Sequence, residues 1–371
     1  MVSELSASNR ARFGLAVLSI LALASSQATS QTSPSLPAST AAFTDSAAGG
    51  LAATKRVAIS TVVVSFQASA AGTKAQGNGM FADKNSAQSV LALPDMDPAL
   101  QESIAEYAYR QLKADLTAAG YDVVPEAEVT ANASYQEILK LAGSPNHTKF
   151  ANAIGDAMLV SPTQLKPYLP YSVEGSRFEQ PVSYIGWLSK LGGKSVTPGG
   201  PSITSIGTIW KLPSLEVQMA KSLNAHVVKA YYVVTLGQAS AARHRDRIAT
   251  TESTGRESGR GSANAELGLM ADQTRIAFRA PNGNDKWQKV SMTKPAPAKD
   301  GDVVVRLAQS LASDADLFSL TSSSRQGSLF NPGADFQFSF VATLTNPNIY
   351  KAEVQSMIAS ADRSMTALVK R

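Results

Sequence analysis

Lys55-Arg56-Val57-Ala58-Ile59-Ser60-Thr61-Val62-Val63-Val64-Ser65-Phe66 is the stretch on which the fold turns. Its β-branched side chains, Val57, Ile59, Val62, Val63 and Val64, are stiff at χ1 and suit an extended backbone. Apolar residues fall on both faces of the run, which predicts a largely buried strand. A helix follows at a distance: Asp97 can cap it, Pro98 suits its first position, and Leu100, Ile104, Ala108, Leu112 and Leu116 recur every four residues. Gly120 is placed to close that helix, and Tyr121 to Val124 predicts a second short strand that Pro125 stops. Strand, helix, strand defines an α/β unit.

Working outward, residues 67–96 carry small side chains and Gly72, Gly77 and Gly79, and read as a long connection. A helix is predicted over Ser134 to Ala142 and a strand over Ala157 to Val160. Residues 161–213 then break the pattern with seven prolines and the rings of Tyr168, Tyr171, Phe178, Tyr184, Trp187 and Trp210. So long an irregular insertion is usually functional or flexible. Beyond it come a helix from Pro213 to Asn224, a strand from Val227 to Leu236, an arginine-rich loop over 239–264 and a strand over 267–278. Asn282-Gly283 signals a turn, Trp287 to Met292 a returning strand, and Val303 to Leu311 a helix. Phe336, Phe338, Phe340 and Ala342 alternate with polar residues, as in a half-exposed strand. The closing helix is capped by Asn346 and opened by Pro347, with Tyr350, Val354, Met357, Ala361, Met365 and Leu368 on one face. The expected architecture is an α/β domain over 55–371, a mixed sheet in two or three layers with flanking helices and the long irregular insertion at 161–213.

Residues 1–28 read as an export signal: Arg10 and Arg12 ahead of a 12-residue apolar run, Phe13 to Ala24, and a small-x-small exit at Ala24 or Ala28. The run falls short of the roughly 20 residues a spanning helix needs. Residues 29–54, almost free of charge and bulk, read as a flexible leader. No cysteine stands at the exit to take a lipid, so the expectation is an exported, periplasmic or secreted protein without a lipid anchor and without a transmembrane span once the signal is removed.

The strand beginning Lys55-Arg56-Val57-Ala58-Ile59-Ser60, the helix end Leu116-Thr117-Ala118-Ala119-Gly120, and Tyr121-Asp122-Val123-Val124-Pro125 together resemble the opening of small envelope α/β domains. These are the domains of the TolB N-terminal region and of CsgG-like and penicillin-binding-protein activator lipoproteins. Ala220 to Val228 resembles that group's helix leading into a central strand. The resemblance implies the fold and a role in binding other envelope components. The absent anchor cysteine and the insertion at 161–213 depart from the group's pattern, which puts anchoring and pore formation in question.

Composition narrows the chemistry. The chain has 371 residues, 44% hydrophobic and 17% charged, with no cysteine, which excludes collagen, a wholly disordered chain, disulfide scaffolds and thiolate chemistry. A net charge of +5 over this length implies no specific nucleic-acid partner. Gly192-Gly193-Lys194-Ser195 ends like a phosphate loop, but Leu188 stands where its first glycine must be. Gly77-Asn78-Gly79 lacks the third glycine of a dinucleotide fingerprint. His147, His226 and His244 are far apart in sequence: His147 reads as a turn residue, His226 as a surface or edge residue, and no metal or cofactor is expected. Ser291-Met292-Thr293-Lys294 has a lactamase-type spacing without its companion motifs, and no G-x-S-x-G elbow occurs.

Two sets of residues are left as candidates. Arg243, Arg245, Arg247, Arg256 and Arg260, on one loop, could contact lipid headgroups, an acidic polymer or an acidic protein. Tyr168, Tyr171, Tyr184, Trp187 and Trp210 could form a partner surface, where such rings are enriched, or a lid over the core. The sequence favours a non-enzymatic binding or assembly factor of the cell envelope. The alternatives are a hydrolase-type enzyme whose site lacks sequence motifs, and binding of an anionic lipid or polymer. The oligomeric state is left open.

Overall fold

The computed structural model describes residues 42–46, 51, 54–75, 86–143, 145–152, 155–168, 211–245, 257–271, 273–283, 302–325 and 336–369. Strand β2 (Arg56–Gln67) lies inside a ten-stranded mixed sheet, and every residue from Val57 to Gln67 is buried. It runs parallel to β8 (His226–Arg245) on one side. On its other side it pairs with β5 (Asp122–Val123) at its start and antiparallel with β7 (Gly155–Val160) at its end. The β-branched run is thus covered on both faces and both edges, as its composition requires.

The rest of this sheet is built outward from β8. Its first half pairs antiparallel with β10 (Arg275–Arg279), which pairs with β11 (Val303–Leu307), which pairs with β1 (Ala42–Ser46). Strand β1 falls within the stretch expected to be a leader. Strand β6 (Thr148–Asn152) closes the opposite edge on β7. The second half of β8 pairs with β9 (Glu257–Leu269), which also meets the two-residue β12 (Leu311–Ala312). Gly237, at φ 119°, sits where the β8–β9 register shifts, a backbone position that a side chain would strain.

Two layers of helix cover this sheet. Helix α1 (Pro98–Ala118) is capped by Asp97, whose carboxylate accepts from the Ala99 amide at 2.9 Å, and Gly120 follows its end as expected. The short α2 (Glu126–Ala131) leads into α3 (Ala133–Ala142), and α4 (Leu212–Leu223) ends on Asn224 in the left-handed region. Helix α5 (Pro347–Ala367) is capped by Asn346. Tyr232 of β8 bonds to Asp362 of α5, whereas Lys229 bonds to Glu216 of α4. Three residues apart on a strand, these positions point to opposite faces, so α5 and α4 sandwich the sheet. Tyr350, Val354, Met357, Ala361 and Met365 are buried as the closing helix predicts. Leu368 is not: it is 49% exposed, and Val369 takes the buried place beyond the last helical turn.

A second, four-stranded sheet runs in the order β13 (Phe318–Arg325), β14 (Phe336–Leu344), β4 (Ser86–Ala92), β3 (Ser69–Ala75). It corrects the expected connection over 67–96, which contains two of these strands. Ala70, Leu91, Leu93, Leu236 and Ala342 form its core, with Ala239, Ala263 and Ala265 of the β8–β9 ribbon packed against it. The layers approach so closely that a Cβ on Gly261 would collide with the Phe338 ring. The expected helix over 303–311 is strand β11 followed by β12, and the expected strand over 267–278 is broken after Leu269. The result is an α/β fold of two mixed sheets and five described helices.

Candidate functional site

The arginine-rich segment is not a loop where it is described. Arg243 and Arg245 belong to β8 and Arg260 to β9, paired Arg243↔Gly259, Arg245↔Glu257 and Ala242↔Arg260. Positions 243 and 245 share one face of the ribbon, and Arg260 falls on the other, where it is exposed. The fold therefore brings these arginines to one end of the ribbon without stacking them on a single face. Arg247 and Arg256 lie outside the described residues. On Arg260's face the ribbon is polar: Gln238, Ser240, Ser262 and Asn264 are exposed, and the Ser240 and Ser262 hydroxyls are 2.7 Å apart.

Of the aromatic candidates, Tyr168 is described and fully buried. Its hydroxyl is 2.6 Å from Ser60 Oγ, and its carbonyl accepts from Tyr231 Oη at 3.3 Å. Tyr168 is therefore a core ring beneath the sheet rather than part of an exposed surface. Tyr171, Phe178, Tyr184, Trp187 and Trp210 lie outside the described residues, as do 192–195 and 291–294.

No local sequence pattern signals the buried charges on the α4 face of the central sheet. Glu216 of α4 accepts from Lys229 Nζ at 2.9 Å and from Arg279 Nε at 3.1 Å, and Arg279 Nη1 reaches the Asp302 carboxylate. Arg275, fully buried, lies with its guanidinium carbon 4.7 Å from the Tyr231 ring centroid. Lys229, Arg275 and Arg279 alternate with apolar residues, a pattern that reads as half-exposed strand. Here an α-helix covers the polar face and neutralises it with a carboxylate. His226 is corrected in the same way: it is buried, because β8 runs between β2 and β10.

A different kind of site forms where α1 meets the turn before β6 and the segment after β7. Glu102 and Glu106 stand one helical turn apart. Glu106 Oε1 accepts from the Thr163 amide at 2.7 Å, and Glu102 Oε1 is 3.8 Å from Nδ1 of His147. His147 is the turn residue expected, held at φ 58°. Its neighbour Asn146 clamps the backbone of Ser161, donating to its carbonyl at 2.9 Å and accepting from its amide at 2.7 Å. Ser161 Oγ and His147 Nε2 are both buried and have no hydrogen-bond partner among the described residues. Carboxylate, imidazole and hydroxyl are the groups a general base and nucleophile need. The signal in the sequence was Asn146-His147 alone, since Glu102 and Ser161 join it only through the fold.

Among the described residues no cluster of three or more His, Asp and Glu side chains is arranged to hold a metal ion. No helix among them is long and apolar enough to cross a membrane. Comparison of the chain with protein families, characterised proteins and solved structures finds no match.

Proposed function

We propose that this chain is an exported cell-envelope protein that acts by binding, engaging an anionic partner through the arginine-bearing end of the β8–β9 ribbon. One observation carries the reading: beyond Val234 the partner of β8 among the described strands is β9, and that two-stranded extension holds Arg243, Arg245 and Arg260. Guanidinium groups carried on a narrow ribbon, of which Arg260 is exposed, suit lipid phosphates, acidic polymers or acidic protein faces, because they offer several donors without a pocket. The buried ions near α4 support the same reading, since they are spent on one another in holding the helix to the sheet. Crosslinking in intact envelopes followed by pull-down tests it. The expected product is a defined adduct that disappears when Arg243, Arg245 and Arg260 are replaced by Gln. An adduct that persists unchanged places the contact elsewhere.

A second reading, a hydrolase, is favoured by the corner of Glu102, His147 and Ser161. In that reading the Ser161 hydroxyl and His147 Nε2, which are not hydrogen-bonded to each other here, come within reach on substrate binding, and Glu102, 3.8 Å from Nδ1, orients the imidazole. Hydrolysis of p-nitrophenyl acetate by the purified protein, abolished in Ser161→Ala and in His147→Gln, would support it. Equal rates for wild type and both variants would remove it.

A further inference from the structure

Helix α5 carries a buried acid that the binding reading does not use. Asp362 is fully buried. Its Oδ1 accepts from Tyr232 Oη of β8 at 2.6 Å, and its Oδ2 has no hydrogen-bond partner among the described residues. An ionised carboxylate would leave charge on a buried oxygen that no donor among the described residues reaches, which burial strongly disfavours. A proton on the carboxyl group removes that charge.

The surroundings act in the same direction. From α1 comes a second carboxylate, Asp115, which accepts from Gln111 Nε2 at 2.9 Å, and Gln111 Oε1 in turn accepts from Tyr107 Oη at 3.3 Å. Arg110 of α1 and Arg363 of α5 act on Tyr107, and Arg363 Nε is engaged by the Ala359 carbonyl at 3.1 Å. On β9 and β11 the residues of this face are Leu267, Leu269, Val305 and Leu307, all buried. Burial first, and Asp115 after it, hold the Asp362 carboxyl well above the usual carboxylate range, while the Tyr232 hydrogen bond works the other way. The Tyr232 phenol is itself pushed well up by burial and by Asp362.

We propose that Asp362 is a proton-operated latch: protonated, it lets α5 pack against β8 without a buried charge, and loss of its proton, which leaves a charge that the Tyr232 bond only partly offsets, loosens the helix from the sheet. The folded chain keeps a proton that the unfolded chain releases above about pH 4. Stability from this group is therefore complete below the unfolded pKa and declines as pH rises toward the raised folded value. A loosened α5 would withdraw the apolar stripe of Tyr350, Val354, Met357 and Met365 from the core, so the latch couples alkaline conditions to weakened packing of α5.

Thermal melting of the full chain between about pH 5 and pH 9 tests the latch. The wild-type melting temperature should fall as pH rises, and Asp362→Asn should flatten that fall. Asp115→Asn, which removes a neighbouring negative charge, should move the midpoint of the fall to lower pH. Tyr232→Phe, which removes the donor favouring the ionised form, should move it to higher pH. The opposed shifts keep the test decisive even if Asp362→Asn does not fold. Parallel curves for wild type and Asp362→Asn, or unshifted midpoints in the other two variants, would overturn the proposal.

Discussion

Lys229 Nζ lies 2.9 Å from Glu216 Oε1 with both side chains withdrawn from solvent, one from the central strand and one from the helix that covers it. The same carboxylate also accepts from Arg279, so a single residue of α4 binds cations of two adjacent strands. This fixes where the helix lies on the sheet through charge-assisted bonds as well as through apolar contact.

Removing that carboxylate should cost far more than the pair is worth in net stability, because buried cations lose their counter-charge. Glu216→Ala is expected to destabilise the fold by about 3–5 kcal/mol, the usual cost of breaking a buried pair from one side. Urea denaturation measures it. Glu216→Gln, which keeps an acceptor of the same shape, should fall between Ala and wild type. A loss below about 1 kcal/mol for Glu216→Ala would mean that α4 is held by packing alone.

The apolar stripe of α5 gives a second contrast. Met357 is buried and Lys351 is on the partly exposed side of the same helix. Met357→Asp should cost several kcal/mol by burying an unpaired charge, on the order of the largest single-residue effects. Lys351→Asp should be nearly silent. Equal shifts in melting temperature would contradict the docking of α5.

The contact between the two sheets is tested at Gly261. A methyl group there would press on Phe338, so Gly261→Ala should destabilise by about 1–3 kcal/mol through overpacking. Adding Phe338→Ala should make room and recover part of that loss. Additive effects in a double-mutant cycle would show that the ribbon and the four-stranded sheet do not meet at this point.

Elements whose signals are local were legible in the sequence. The β-branched run of β2, the Asp97 and Asn346 caps and the fourfold spacings of α1 and α5 each state their own structure. The misses share a physical cause. Strand β3, Ser-Ala-Ala-Gly-Thr-Lys-Ala, has small side chains because the facing sheet approaches closely, and so it lacks the alternation that marks a strand. Val303, Leu307 and Leu311 recur every four residues, a spacing that a helix face and a strand face both satisfy, and the β-branched run at 303–305 decided for the strand. The arginine segment looked like a loop because its polar residues alternate with Ala, Ser and Gly, which suits a narrow ribbon packed on one face. The buried ion pairs and the corner at His147 join residues far apart in the chain, and no local pattern announces them.

Export makes a prediction of its own. Protein recovered from the periplasmic or secreted fraction should begin near Ser25 or Thr29, following either small-x-small exit. N-terminal sequencing reads it directly, and a soluble cytoplasmic pool that retains Met1 would contradict the proposed address.

The binding account is tested most directly by co-sedimentation of the purified chain with vesicles of anionic lipid and, in parallel, with an acidic polymer immobilised on beads. Each should be run at low and at high salt. If these arginines serve a partner rather than the fold, replacing Arg243, Arg245 and Arg260 with Gln should leave the melting temperature nearly unchanged, as for solvent-facing charges. The wild-type protein should bind at least one of the two anionic surfaces at low salt and release it as the Debye length shrinks from about 10 Å to a few ångströms. The triple variant should bind weakly at both salt levels. Binding that is equal in the variant and the wild type, or that is indifferent to salt, would contradict the claim that the ribbon engages an anionic partner.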